Sequence, residues 1–248
     1  MNKNNRIKTG FTIIEVLLFL AISGAITAGI IAVTSNSLSR QRYNNAVQEY
    51  ADFLSSLYSS VTYVQNPNQN AGRSDKVIYG KLLVFDANNL SGQNYRAYTY
   101  DVIGNTPSQS STTADPLEIL KNTGTLSLLN QTEQKPNSPT FIKSTAEDNP
   151  PYRGSILIFR SPNSGTIYTY SSDKYDFDIS NFKLFTDGPT PQPLFNSTND
   201  IDFCIDSEDR TAANGGSMQD IRIVQPAYNS AAITFIEVDS EENRCLES

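Results

Sequence analysis

Residues 11–33 read FTIIEVLLFLAISGAITAGIIAV, and this stretch decides the architecture of the chain. It is long enough to cross a bilayer of about 30 Å as a single helix. Its only charged residue is Glu15, whereas the residues before it carry Lys3, Arg6 and Lys8 and no acidic residue. A basic start followed by an apolar run predicts a cytoplasmic N-terminus, with the rest of the chain on the other side of the membrane.

The helical pattern continues past this run as an amphipathic stripe. Apolar side chains recur there at steps of three and four, at Tyr43, Ala46, Val47, Tyr50, Leu54, Leu57, Tyr58 and Val61. Asn66-Pro67-Asn68 then supplies a helix stop. The sequence therefore predicts one long helix with a transmembrane half at 11–33 and an amphipathic half at 34–65, whose stripe packs on the following domain.

From residue 66 to residue 248 the pattern favours β-structure. Apolar and β-branched runs predict strands at 77–86, 95–102, 155–160, 166–170, 182–185, 201–205, 221–224 and 232–238. Polar, proline-bearing stretches predict loops at 104–115, 131–151 and 187–200. The segments 117–121 and 125–129 fit either a short helix or two strands. The predicted fold class is α+β, with the long N-terminal helix packed on an antiparallel β-rich domain.

The composition excludes several classes of enzyme. The 248 residues include no histidine, so a Ser-His-Asp triad, a Cys-His pair and a His-ligated metal are all impossible. Ser180-Asn181-Phe182-Lys183 has the S-x-x-K spacing of a serine nucleophile but lacks the companion motifs. The net charge of −7 argues against a partner that is a nucleic acid. We therefore expect no enzymatic activity, and a surface hydrolase is kept only as a third alternative.

The junction Lys8-Thr9-Gly10-Phe11-Thr12-Ile13-Ile14-Glu15 resembles the processing site of type IV prepilins and type II secretion pseudopilins. In this family a short basic leader ends in Gly, a dedicated aspartyl peptidase cuts after it, and the new N-terminal residue, usually Phe, is N-methylated. The resemblance implies a leader at 1–10, cleavage between Gly10 and Phe11, and methylation of Phe11. Many major pilins also carry a proline in the apolar half of the helix, and this sequence has none there.

Glu15 is the residue that this resemblance and physical chemistry both single out. An ionisable group within a membrane span is costly and usually has a function or a partner. Glu15 is four residues beyond Phe11, so the two share a helix face, and cleavage would place a cationic amine at Phe11. In the family this Glu is thought to neutralise the N-terminal amine of a neighbouring subunit, which implies an assembly role. The alternative is a Glu that snorkels to the membrane interface.

The resemblance implies a structural subunit of a type IV pilus-like filament, assembled through the apolar helix. Cleavage after Gly10 would leave 238 residues and change the net charge from −7 to −10, and this length favours a minor pilin or pseudopilin. The implied partners are other pilin subunits, the prepilin peptidase, the inner-membrane assembly platform and, before assembly, the membrane. The alternative is an uncleaved signal anchor that holds a β-rich binding module or adhesin on the membrane and never polymerises.

Cys204 and Cys245 are the only cysteines. In an exported domain a disulfide between them is the natural expectation, and the alternative is two free, buried thiols. The pilin resemblance adds that members of this family often have a disulfide-closed region near the C-terminus.

Asp173, Asp176 and Asp178 are closely spaced carboxylates, and carboxylate oxygens are the ligands that calcium prefers. They are weak calcium candidates, because Lys174 stands among them and no EF-hand pattern is present. The alternative is a set of solvated acidic turns. No cofactor is otherwise expected.

Overall fold

The computed structural model describes residues 12–62, 76–86, 96–105, 116–121, 125–134, 140–143, 154–161, 164–197, 200–207, 219–236 and 245. The chain divides into two units, Met1–Asn44 and Asn45–Ser248, and the second contains both β-sheets. The architecture is α+β, as predicted, with one long N-terminal helix and antiparallel strands.

Helix α1 spans Ile13–Thr62 as one uninterrupted element, and it contains no proline. Its second half is amphipathic as predicted, because one stripe is buried there and comprises Ala46, Val47, Tyr50, Ala51, Leu54, Leu57, Tyr58 and Val61. The described helix ends at Thr62, so residues 63–65 of the predicted amphipathic half lie outside the described residues.

The first sheet has five antiparallel strands in the order β3-β2-β1-β5-β6. These strands are β1 (Lys76–Asp86), β2 (Arg96–Asn105), β3 (Ser127–Gln134), β5 (Gly154–Arg160) and β6 (Ile167–Ser172). Helix α2 (Pro116–Lys121) connects β2 to β3 in sequence. In β5 every residue up to Phe159 is buried, which is typical of a strand that is covered on both faces.

The second sheet has four antiparallel strands in the order β4-β7-β8-β9. These strands are β4 (Thr140–Lys143), β7 (Ile201–Ser207), β8 (Gln219–Ile223) and β9 (Ile233–Ile236). A short 3-10 turn at Ser230–Ala232 precedes β9. The two sheets meet where Phe203 of β7 packs on Phe85 of β1, with ring centroids 5.5 Å apart.

Both faces of the first sheet are covered. Leu82, Leu157 and Tyr170 stand opposite one another in the strand register and therefore share one face. The buried cluster on that face includes side chains from α2 and from the irregular segment 173–197, namely Leu117, Leu120, Phe182, Leu184 and Phe195. The other face carries Thr169, which is hydrogen-bonded to Tyr58 of α1 at 2.8 Å. The part of α1 from Asn45 to Thr62 therefore packs against this second face.

A buried chain of hydrogen bonds starts at Tyr58. The Thr169 hydroxyl donates its single proton to the carbonyl of Ala227 at 3.0 Å, so the Tyr58 hydroxyl donates to Thr169. This chain links α1 to strand β6 and to the loop that joins β8 to β9. Burial raises the pKa of Tyr58 to about 12.

Several predicted elements differ from those observed. Residues 182–185 are not a strand, because Phe182 and Phe185 form only isolated bridges, to Leu126 and Pro193 respectively. The alternating apolar residues belong instead to an extended segment, whose side chains Phe182 and Leu184 are buried in the cluster on the first sheet. The open choice at 117–129 is settled as helix α2 followed by strand β3.

The predicted loops at 104–115 and 131–151 also contain regular structure. Strand β2 extends to Asn105, strand β3 to Gln134, and β4 occupies Thr140–Lys143. Most of β3 is exposed, and it forms one edge of its sheet. An exposed strand needs no apolar alternation, so residues 131–134 show no strand pattern, whereas the start of β3 lies in the segment 125–129, for which a strand was one of two predicted alternatives.

A β-bulge at Tyr79 depends on the glycine that follows it. In the pairing of β1 with β2, Ile78 stands opposite Ile103 and Gly80 opposite Val102, so Tyr79 is an extra residue. A Cβ atom at Gly80 would lie 2.1 Å from the backbone oxygen of Ile158 on β5. Only glycine fits where the strands approach so closely.

We predict that Gly80→Ala lowers the free energy of unfolding by at least about 3 kcal/mol, because β1 and β5 must separate to admit a methyl group. Chemical unfolding of the detergent-solubilised chain measures the change. Gly24→Ala is the matched control, because a Cβ at Gly24 meets no atom within 4 Å. A Gly80→Ala variant as stable as the control would contradict this account of the bulge.

The raised pKa of Tyr58 predicts a pH dependence of stability at alkaline pH. The fold favours the neutral phenol, so this stabilisation is complete below pH 10 and is lost as the pH rises from about 10 to 12. Two pKa units correspond to about 3 kcal/mol. Tyr58→Phe should cost about 1 kcal/mol at neutral pH and should flatten the alkaline decline.

Unfolding free energies measured between pH 8 and pH 12 test this prediction. Tyr228→Phe, which removes an exposed hydroxyl, is the control and should leave the profile of the wild type unchanged. An equally steep alkaline decline in Tyr58→Phe would show that another group causes it.

Candidate functional site

Within the described residues, the N-terminal part of α1 carries an exposed apolar surface. The segment Ile13–Ile31 is long and apolar enough to span a membrane, and none of it is buried. Its exposed large side chains are Ile13, Ile14, Val16, Leu17, Leu18, Phe19, Leu20, Ile22, Ile26, Ile30 and Ile31. Burial of apolar surface is worth about 25 cal/mol per Å², so such a segment needs an apolar environment outside its own chain.

The start of this helix is fixed by Thr12. The backbone N–H groups of Glu15 and Val16 donate to the Thr12 carbonyl at 3.1 and 3.2 Å, and the Glu15 N–H also approaches the Thr12 hydroxyl at 3.3 Å. Thr12 therefore acts as the N-cap. The T-x-x-E spacing of a capping box, from Thr12 to Glu15, was present in the sequence and could have identified this role.

Glu15 lies in the first turn of α1 and is exposed. It is the only charged residue between Ile13 and Ile31. A carboxylate at this position interacts favourably with the positive end of the helix dipole. Gly10 and Phe11, the predicted cleavage and methylation residues, lie outside the described residues.

The predicted disulfide is present. Cys204, in the middle of β7, is bonded to Cys245, and both residues are fully buried. The alternative of two free thiols is therefore wrong. The bond ties the C-terminal end of the chain to an inner strand of the second sheet, because β7 lies between β4 and β8.

Each buried aspartate among the described residues has a cationic partner. Asp101 of β2 pairs with Lys81 of β1. Asp202 of β7 and Asp220 of β8 both pair with Arg222, whose Nη2 lies 3.2 Å from Asp220 Oδ2. Such pairing is what burial of a charge requires, since an unpaired buried charge is strongly destabilising.

Arg222 stays ionised in spite of its burial. Burial alone would lower the pKa of its guanidinium, but the hydrogen bond and charge of Asp202, followed by the charges of Asp220 and Asp200, hold that pKa above its usual range. No sequence pattern indicated that Arg222 lies beside Asp202 and Asp220, because only the pairing register of β7 and β8 brings these three residues together.

The calcium candidates lie on the exposed segment that follows β6. Within the described residues, Asp173, Asp176 and Asp178 do not come together as a group that could hold a metal ion. Asp178 instead accepts hydrogen bonds from the Ser180 hydroxyl at 2.7 Å and from the backbone N–H of Ser180 at 2.9 Å. The hydroxyl bond is the main cause that lowers the pKa of Asp178 below its usual value.

The S-x-x-K residues have separate partners. The Ser180 hydroxyl donates to Asp178, whereas the Lys183 ammonium donates to Asp187 at 2.6 and 2.8 Å. Ser180 and Lys183 therefore make separate contacts on the surface of an irregular segment.

Arg160 makes contacts at the end of α1. Its Nη1 donates to the carbonyl of Thr62 at 3.3 Å, and its Nε donates to the carbonyl of Gly165 at 3.1 Å. A guanidinium at the C-terminal end of a helix satisfies an otherwise unpaired carbonyl and suits the helix dipole.

No protein-family model, curated protein or solved structure matches the chain. A functional conclusion therefore depends on the residues of the chain itself. The exposed apolar helix with its single carboxylate is the feature with the most specific chemical requirement.

We predict that loss of the disulfide lowers the free energy of unfolding by about 4 kcal/mol, because the bond closes a loop with a sequence separation of 41 residues. The paired substitution Cys204→Ala with Cys245→Ala, studied by chemical unfolding, measures this change. Reduction of the wild type should reproduce the loss, and reduction should leave the double variant unaffected. A double variant as stable as the oxidised wild type would contradict a stabilising role for the bond.

Proposed function

We propose that this chain is a structural subunit of a type IV pilus-like filament, of the minor pilin or pseudopilin kind. It is made with a leader at residues 1–10, inserts with its N-terminus in the cytoplasm and is cleaved between Gly10 and Phe11. Phe11 is then N-methylated. The mature chain of 238 residues leaves the membrane by packing its apolar helix against the helices of other subunits.

One observation carries this proposal, namely that Ile13–Ile31 is apolar, unburied and charged only at Glu15. A plain membrane anchor requires the apolar residues but gains nothing from a carboxylate within them. A helix that leaves the lipid bilayer and packs against other helices can use a carboxylate to pair with the cationic amine of a neighbouring subunit. In the filament, Glu15 would pair with the amine at Phe11 of an adjacent subunit.

The assembly partners follow from this mode of association. They are other pilin subunits, which contact the chain through the N-terminal helix, together with the prepilin peptidase and the inner-membrane assembly platform. Before assembly the chain is a single-pass membrane protein, and afterwards it is part of an extracellular filament.

A second candidate is a membrane-anchored binding module or adhesin that never polymerises. The observation in its favour is that Asn45–Ser248 forms a compact unit with its own sheets and buried clusters. Such a unit could display a binding surface from an anchor alone. The two candidates assign different roles to Glu15, because a filament subunit would use it to pair with a neighbouring subunit and an anchored module would not need it.

We predict that Glu15→Ala is inserted and cleaved normally but enters filaments at least about tenfold less than the wild type, because a buried charge pair is lost. Quantitative mass spectrometry of sheared filaments and of membranes, from cells that make the filament, measures both pools. Asp52→Ala is the control, since it removes an acidic side chain from the exposed side of the same helix.

Equal incorporation of Glu15→Ala and Asp52→Ala would overturn the assembly role of Glu15. Absence of the wild-type chain from the filament fraction, with full recovery in membranes, would instead favour the anchored module.

A further inference from the structure

Three polar side chains on neighbouring strands of the first sheet meet at one carboxylate. Lys81 of β1 stands directly opposite Asp101 of β2 in the register, and its ammonium pairs with Oδ1 of Asp101. From the other side of β2, the carboxamide Nδ2 of Asn130 on β3 donates to Oδ2 of Asp101 at 2.6 Å. The two oxygens of one carboxylate therefore contact an amine and a carboxamide, which lie within a few ångströms of each other.

A β-bulge in β3 brings Asn130 to this carboxylate. The pairing of β2 with β3 shifts between Thr99 and Asp101, where β3 has one residue more than β2. Because Leu129 stands opposite Asp101, Asn130 would point to the other face of the sheet in a regular strand. Asn130 instead has a φ of 53°, in the left-handed region, and its side chain reaches Asp101. Bulges that re-aim a side chain and positive φ angles both occur preferentially at functional sites.

We propose that this group is a site of covalent modification, in which Lys81 and Asn130 form an isopeptide bond and Asp101 is the acid–base catalyst. A lysine amine becomes a nucleophile when an adjacent base removes its proton. Asp101 is buried and contacts the Lys81 ammonium, so it can act as that base. A proton relay needs a group within hydrogen-bond reach of both reactants, and Asp101 meets this requirement through its two oxygens.

The reaction balances within these three side chains. Asp101 takes one proton from the Lys81 ammonium, and the amine lone pair attacks Cγ of Asn130 to form a new C–N bond. A second proton moves from the attacking nitrogen through the carboxyl group to Nδ2 of Asn130. The bond between Cγ and Nδ2 then breaks, and ammonia leaves with its electron pair. The products are a side-chain amide, a neutral Asp101 carboxyl group and one ammonia molecule, so no further reactant is needed.

The surroundings of the three groups favour this reaction. The side chains of Lys81 and Asp101 are 28% and 8% exposed, and the cost of removing such charges from water disappears when both become neutral. The strands hold the reacting groups together, so the step is effectively unimolecular. Asn130 is exposed, which gives the ammonia a direct path to the solvent. The bond would join β1 to β3 across β2, in addition to the hydrogen bonds of the sheet.

The test is the intact mass of the full chain, purified in detergent and reduced so that the disulfide does not contribute. The wild type should be lighter than its processed sequence by the mass of one ammonia molecule, and proteolysis should release one branched peptide that contains Lys81 and Asn130. Asp101→Ala keeps both reacting side chains but lacks the catalyst, so it should have the full mass. Lys81→Arg keeps the positive charge but cannot form the bond, and it should also have the full mass.

Lys183→Arg is the matched control, because it replaces a lysine whose aspartate partner, Asp187, lies on the surface. This variant should keep the mass deficit of the wild type. A wild type of full mass, with Lys81 and Asn130 in separate peptides, would overturn the proposal and leave the group as an ion pair only. A branched peptide from Asp101→Ala would overturn the role of Asp101. If the variants do not fold, the mass and the peptides of the wild type still decide.

Discussion

The apolar side chains between Ile13 and Ile31 have to be removed from water, and none of that segment is buried in the part of the chain that the structure describes. Most other features of α1 follow from this constraint. The segment carries one charge, it begins at the Thr12 cap, and no proline interrupts it before Thr62. Lipid and a bundle of helices from neighbouring subunits would both satisfy the constraint, and we propose that Glu15 serves the second of these environments.

In the described part of the β-rich unit, several buried polar groups have partners on other elements, and these partners help to fix the register. Tyr58, Thr169 and Ala227 form a buried chain of hydrogen bonds between the helix, the first sheet and a loop of the second sheet. Arg222 holds two buried carboxylates from neighbouring strands. Because a misaligned strand would leave these groups unpaired, they favour one arrangement over others of similar apolar burial.

Sequence periodicity predicted the parts of the fold that have one buried stripe or two buried faces. The stripe from Ala46 to Val61 and the run in β5 are examples, because burial itself imposes their pattern. It predicted a loop at the second half of β3, residues 131–134, whose exposed positions tolerate polar residues, and it left the first half open between helix and strand. The disulfide was predictable because only two cysteines exist. The placement of Asp220 opposite Cys204 was not predictable, since it depends on a long-range strand register that composition does not encode.

The central claim is that α1 belongs to an assembling subunit and becomes its mature N-terminus by cleavage before the apolar run. The most direct measurement is N-terminal mass spectrometry of the full chain, produced in membranes together with an active prepilin peptidase or with an inactive one. The account predicts a mature start at N-methylated Phe11 with the active peptidase and an intact leader with the inactive one. An intact Met1–Gly10 leader in the presence of the active peptidase would contradict it.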